Sequence, residues 1–182
     1  ERFDAFGVLQ VDAHMDLRRA YQGLRYSHAS VMLNALESVP AMKTLVQLGI
    51  RDYAAEEARF AAVRGVRTLY WDDLADELDS GASWRSLVED AVSLLPDRVY
   101  VTFDIDGLEP ALCPSTGTPV PGGLSWDRAS ALLGALAESG RTIVGCDLVE
   151  VAPGIDSPVG RIDAIVGARM LYRLLGAALA PR

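Results

Sequence analysis

Short runs of aliphatic and β-branched residues alternate with longer stretches of helical period along this 182-residue chain. That alternation constrains the fold more than any other feature, because strands separated by helices are laid parallel, each reached through a crossover. Phe6–Asp12 (FGVLQVD), Lys43–Ile50 (KTLVQLGI), Val66–Leu69, Val99–Phe103 and Thr142–Val149 read as buried strands. Ser30–Val39, Glu56–Arg64, Ser83–Leu95, Trp126–Ser139 and Arg161–Leu179 read as helices, with Ser83, Ser125 and Asp163 near their starts as capping residues. The acidic run Trp71–Glu77 (WDDLADE) reads as the solvated start of a further helix, where negative charge complements the macrodipole. The pattern predicts one α/β domain over residues 1–182, without repeat, linker or second domain.

Seventeen basic against twenty-five acidic side chains leave a net charge of −8, the wrong sign for a nucleic-acid or anionic-membrane partner and a better match to a small cation. No apolar run approaches the roughly 18 residues of a membrane helix. Cys113 and Cys146 are too few for a disulfide framework and lack metal-type spacing, which points to a reducing compartment, by default the cytoplasm. The opening Glu1-Arg2-Phe3-Asp4 has neither an initiator Met nor a signal-peptide core, so the chain is expected to begin inside a domain.

Gly107–Leu124 (GLEPALCPSTGTPVPGGL) concentrates Pro and Gly and must be a long loop held by turns; Ala152–Gly160 (APGIDSPVG) is a second one after another strand. The polar residues of interest stand just before such breaks. Asp12-Ala13-His14-Met15-Asp16 ends the first strand, and Asp104-Ile105-Asp106 ends a distant one. An open parallel sheet offers its ligand crevice at those carboxyl ends. The first string reads either as donors for a divalent cation or as a polar turn. Two such clusters together favour cations, because neighbouring carboxylates otherwise repel and raise one another's pKa. Hard oxygen ligands with one imidazole suit manganese better than copper or thiolate-bound zinc. Two bridged cations generate hydroxide near neutral pH, so the implied chemistry is hydrolysis. His28 reads as a proton shuttle or as a histidine satisfied at a helix start, and Glu150 as a partner for a cationic substrate or an ordinary salt bridge. Asp147 reads as a structural acceptor, and Trp71, Trp84 and Trp126 as packing residues.

These strings resemble the ureohydrolases, the arginase and agmatinase superfamily, over nearly the whole chain: VDAHMDLR, YSHAS, LGIRD, VTFDIDGLEPALCPSTGTPVPGGLS, GCDLVEVAP and GARMLYRLL. The resemblance implies a three-layer αβα sandwich with a mainly parallel sheet and a centre of two manganese ions. By that resemblance Asp12 and Asp104 each bridge the ions, Asp16 completes one, and His14 with Asp106 holds the other. His28 matches the family's proton-shuttling histidine, Glu150 the carboxylate that orients the guanidinium, and Thr118 lines the pocket. The implied partner is a small cationic guanidino substrate, and the family implies homo-oligomers.

Arg18 stands where arginases usually carry an asparagine that reads the substrate's α-carboxylate. Together with DLR and YSHAS this is more similar to agmatinases, so agmatine, hydrolysed to putrescine and urea, is the expected substrate. Arginase, guanidinobutyrase and formimidoylglutamase activities, or a non-catalytic metal-binding relative, are the alternatives; Arg18 facing the carboxylate of a guanidino acid is the route to the second. Glu109 stands in place of the family's aspartate before proline, Ser115 replaces a commoner small residue, and the usual Thr-Ala signature is absent after Asp156. The family's first metal-ligating histidine, from a Gly-Gly-Asp-His motif, has no counterpart in this chain, so five of six expected ligands are present and the amino-terminal part of the domain is expected to be missing. Without those leading strands, part of the sheet is expected to lie uncovered.

Overall fold

The five aliphatic runs form one parallel sheet in a computed structural model that describes residues 3–153 and 160–180. Along the chain the elements are β1 (Phe6–Val11), α1 (Val31–Ser38), β2 (Met42–Ile50), α2 (Ala55–Arg64), β3 (Arg67–Tyr70), α3 (Trp71–Asp79), α4 (Trp84–Ser93), β4 (Arg98–Asp104), α5 (Trp126–Glu138), β5 (Thr142–Val149) and α6 (Gly160–Ala178). The strand order is β3-β2-β1-β4-β5. The chain winds outward from β1 to β3, then returns to lay β4 against the other side of β1. That reversal opens a crevice between the carboxyl ends of β1 and β4, where Asp12 and Asp104 stand.

Side chains alternate across each strand and build two cores. Leu9, Val11, Val46, Leu48, Val101 and Phe103 point to one face and pack with residues of α3, α4, α5 and α6. Val8 and Leu45 point to the other, with Met32 and Leu33 of α1 and Ala61 of α2. Helices on both faces of a parallel sheet make the α/β domain expected from the periodicity and the three-layer αβα sandwich that the resemblance implies. Boundaries differ from the sequence expectation by a residue or two, as fraying ends allow.

Two of the three expected caps form: the Ser83 and Ser125 hydroxyls accept from the Ser86 and Arg128 amides at 3.1 and 3.3 Å. Asp163 does otherwise. It is fully buried in the first turn of α6, and its Oδ1 accepts the Ser115 amide at 2.9 Å, tying the Pro-rich loop to that helix.

The same loop is gripped from the sheet side. Arg51, just past β2, donates to the carbonyls of Gly49, Asp106, Leu108, Val120 and Pro121. Carbonyls without an internal partner would otherwise be stranded where the loop crosses the strand ends. Burial pulls the guanidinium's pKa below the usual arginine value, against the opposing pull of Asp106 and Asp12. Gly123 makes this fit possible: its φ is +102°, and a Cβ there would lie 2.8 Å from both Arg51 Nη2 and the Leu108 carbonyl oxygen.

β5 ends the described sheet on one side and is half-buried for most of its length, and α6, packed on one face, exposes Ile162, Ile165, Tyr172 and Leu175.

Gly123→Ala is expected to destabilise the fold by about 1–3 kcal/mol through the left-handed backbone and displacement of Arg51. Urea unfolding checks this by a lower midpoint at an unchanged slope.

Candidate active site

β1 ends in a strained turn. After Asp12, His14 bridges to Asp52 beyond β2, and Asp16 adopts a left-handed φ of 55°, rare for a residue with a side chain. The strain is anchored, since the Asp16 carbonyl accepts the Met32 and Leu33 amides at the start of α1. Glu150, just past β5, is also left-handed, with φ 59°. Non-glycine residues in this region concentrate at functional sites.

Asp12 is buried, and its carboxylate accepts the His14 amide at 2.7 Å and the Gln10 side-chain amide at 2.9 Å. His14 Nδ1 lies 3.2 Å from Asp106 Oδ2 and 3.5 Å from Asp12 Oδ1. Asp106 accepts the Ala13 amide at 3.1 Å, which stitches the β4 end to the β1 end, and Asp104 accepts the Asp106 amide at 2.9 Å. Gly107 lets the two chain segments meet: a Cβ there would lie 3.0 Å from the Asp12 nitrogen.

A cavity of about 120 Å³ opens over this cluster. His14, Asp16, Asp104 and Asp106 line it, with His28, Thr118 and Glu150 from three other segments. Asp12 lies buried against His14 and Asp106. The structure therefore places His14, Asp16, Asp104, Asp106, His28, Thr118 and Glu150 around one cavity, with Asp12 packed against two of them. His28 is exposed at the start of a 3-10 turn, its ring edge-on to Tyr21 with centroids 5.2 Å apart. Glu150 lies over Gly117, and its carbonyl accepts the Thr116 hydroxyl at 3.0 Å. Thr118 reaches Asp106 Oδ2 at 3.4 Å. Asp147 accepts from Tyr100 and Thr102 at 2.9 and 2.7 Å, in keeping with a structural acceptor. A larger groove of about 670 Å³ between α4 and α5 holds none of these residues.

The electrostatics show a site built for positive charge. Burial first, then repulsion from Asp12, pushes the Asp16 and Asp104 carboxyls up to about 9 and about 10. Burial raises Asp12 to about 6 against the hydrogen bond from His14. Burial disfavours charge on His14, yet Asp106 and Asp12 overcome it and raise the imidazole to about 10. Asp106, despite burial, is held below the usual carboxylate range by His14. Among the described residues, Asp12, His14 and Asp106 bring one ligand atom each within 4.8 Å of one another. Four carboxylates and an imidazole at one cavity, with two carboxyls driven toward neutrality, fit divalent cations with hard ligand preference.

Several participants escape a reading of the sequence. Glu57, in the first turn of α2, accepts the Leu17 and Ala54 amides and lies 3.5 Å from Arg18 Nε, so Arg18 is already paired and lies over the Tyr21 ring. Asp52 stands 3.8 Å from His14 Nε2. Arg51 holds the loop. The one signal for these is the charged pair Arg51-Asp52 directly after an apolar strand.

The arginase-family model matches residues 1–176. The chain belongs to the arginase family. It is 37% identical over 178 residues to an N(1)-aminopropylagmatine ureohydrolase of Thermus thermophilus, covering 97% of this chain and 55% of that protein. It is 36% identical to a guanidinopropionase of Pseudomonas aeruginosa, covering 93% and 52%. The solved arginase of Medicago truncatula superposes with a TM-score of 0.77 at 31% identity, over 96% of this chain and 51% of that one. The chain thus spans about half the length of the relatives it matches, and like them this arginase-family member carries the three-layer fold.

The pKa pattern sets a pH dependence for the metal-free protein. Asp16 and Asp104 are raised from 3.8, so their contribution is fully present below about pH 4 and is lost as pH rises through about 9 and 10. His14, raised from 6.5 to about 10, loses its contribution over the upper part of the same range. The melting temperature of EDTA-treated protein is expected to fall between about pH 5 and pH 9, and Mn²⁺ to raise it by an increment that grows with pH. Scanning fluorimetry with and without Mn²⁺ measures both.

Proposed function

We propose that the protein carrying this chain hydrolyses a guanidino compound to urea and an amine, with agmatine, giving putrescine, as the substrate. The observation that carries this reading is the convergence of His14, Asp16, Asp104, Asp106 and Glu150 on one cavity at the switch point of the sheet, with Asp12 buried against His14 and Asp106. Two manganese ions are the group this donor set would hold: Asp12 and Asp104 as carboxylates shared by both, Asp16 completing one, His14 and Asp106 holding the other. When bound, such a pair supplies hydroxide at neutral pH and neutralises charge on the reacting centre.

The chain's own residues do the rest. Glu150 faces a planar guanidinium with a carboxylate, a match that favours two parallel hydrogen bonds and fixes the plane of the substrate over the acidic cluster. Its strained backbone, fastened by the Thr116 hydroxyl, keeps the side chain over Gly117 instead of drifting into solvent. Thr118 places a hydroxyl beside Asp106 at the wall of the pocket. His28 at the cavity edge passes a proton between solvent and the departing amine, which must be protonated to leave as the C–N bond breaks.

Substrate choice within the family follows from Arg18. An arginine free to meet a carboxylate would favour a guanidino acid, but here its guanidinium is engaged by Glu57 and Tyr21. The neighbouring Asp52 carboxylate, 64% exposed, suits an ammonium tail. The relative that acts on aminopropylagmatine supports this choice, and the guanidinopropionase keeps the guanidino-acid reading as the second one. The reading implies a cytoplasmic enzyme and homo-oligomers like those of its family.

The test is urea release by the full-length protein loaded with Mn²⁺ and offered agmatine, arginine and 4-guanidinobutyrate in parallel. Agmatine is expected to turn over fastest, and Asp104→Ala to reduce urea to background. Undiminished activity in that variant contradicts the metal assignment, and no urea from any guanidino substrate with two ions bound points to a non-catalytic relative.

A further inference from the structure

A row of polar side chains crosses the sheet one level beneath the acidic cluster. Thr68, Gln47, Gln10, Thr102 and Asp147 are register partners on β3, β2, β1, β4 and β5. Gln10 and Gln47 are 1% and 0% exposed, in central strands whose other buried side chains are almost all apolar. Buried amides of this kind are tolerated only when every donor and acceptor is used.

Here they are used in one direction. The Thr68 hydroxyl donates to Gln47 Oε1 at 3.0 Å. Gln47 Nε2 donates to Gln10 Oε1 at 2.8 Å and to the Met15 carbonyl at 2.7 Å. Gln10 Nε2 donates to Asp12 Oδ2 at 2.9 Å and to the His14 carbonyl at 3.3 Å. Turning either amide over would set oxygen against oxygen, at Met15 for Gln47 and at Asp12 for Gln10, so the two glutamines are locked in one sense. Each bond polarises the next, and the chain delivers a donor to one oxygen of Asp12.

We propose that Thr68, Gln47 and Gln10 form a positioning relay that fixes the Asp12 carboxylate for metal binding. The proposal rests on the reading of Asp12 as a metal ligand. Hydrogen bonds to a ligand from outside the coordination sphere set its orientation before the ion arrives, so less reorganisation accompanies binding. Gln10 acts directly on Asp12; Gln47 acts through Gln10 and through the Met15 carbonyl in the ligand-bearing turn; Thr68 acts at the far end, two strands away. Tyr100 and Thr102 donate to Asp147 instead, so among the side chains of this row Asp12 is the carboxylate that the glutamines reach.

The test compares Mn²⁺ affinity by titration calorimetry with the melting temperature of the metal-free form, in the full-length protein and its Gln47→Leu, Thr68→Val and Thr68→Ser variants. Gln47→Leu is expected to weaken Mn²⁺ binding by about 10–100-fold. Thr68→Val, isosteric and on an edge strand, is expected to give a smaller loss of the same sign, with Thr68→Ser restoring wild-type affinity; it carries the test alone if Gln47→Leu does not fold. Wild-type affinity in both Gln47→Leu and Thr68→Val, with only the metal-free melting temperature lowered, overturns the relay and reduces the row to a device for strand register. Failure of the underlying reading looks different: the parent protein itself then binds no Mn²⁺, and the relay falls with it.

Discussion

Four carboxylates and an imidazole are drawn together at the ends of β1 and β4, Asp12, Asp104 and Asp106 buried and His14 and Asp16 partly so, with less water about them than each would have alone. Burial and mutual repulsion push the Asp16 and Asp104 carboxyls up, while Asp106 and Asp12 raise the His14 imidazole against its own burial. Hydrogen bonds from the Ala13, His14 and Asp106 amides lessen the electrostatic penalty without removing it. A pair of divalent cations, as proposed, would remove it, and the surrounding contacts hold that negative cluster in place.

The scaffold answers that need through contacts at a distance from the cluster. The left-handed turn at Asp16 is anchored by α1, and the Pro-rich loop is gripped by Arg51 from the sheet, by Asp163 from α6 and by Thr116 at Glu150. Each contact joins a segment carrying a candidate functional residue to an element whose position is set by one of the two apolar cores. Strain at Asp16 and Glu150 persists because the surrounding structure over-determines it.

The fold was legible because periodicity records burial: the five aliphatic runs and the helices between them appear with boundaries shifted by a residue or two. The ligand-type residues were legible because carboxylates crowd the ends of apolar strands, as in Asp12–Asp16 and Asp104–Asp106. What stayed hidden were residues whose partners lie far away in sequence. Asp163 stands at a helix start like any cap but serves Ser115, and Glu57 looks like a surface acid of a first turn but is buried beneath Leu17. Arg18, alone, invites a role in reading a substrate carboxylate; the Glu57 and Tyr21 contacts that engage it depend on the path of the chain after β1. Gln10 and Gln47 were visible as polar breaks in apolar strands, but only the register of three strands shows them as one row.

We propose that this buried acidic cluster is a binuclear cation site. Anomalous-difference density from crystals of the full-length protein grown with Mn²⁺ tests it most directly. Two peaks in the cavity, both coordinated by Asp12 and Asp104 with His14, Asp16 and Asp106 divided between them, are the predicted result. A cavity without anomalous density at saturating Mn²⁺, with these carboxyls instead bonded to one another, would contradict it.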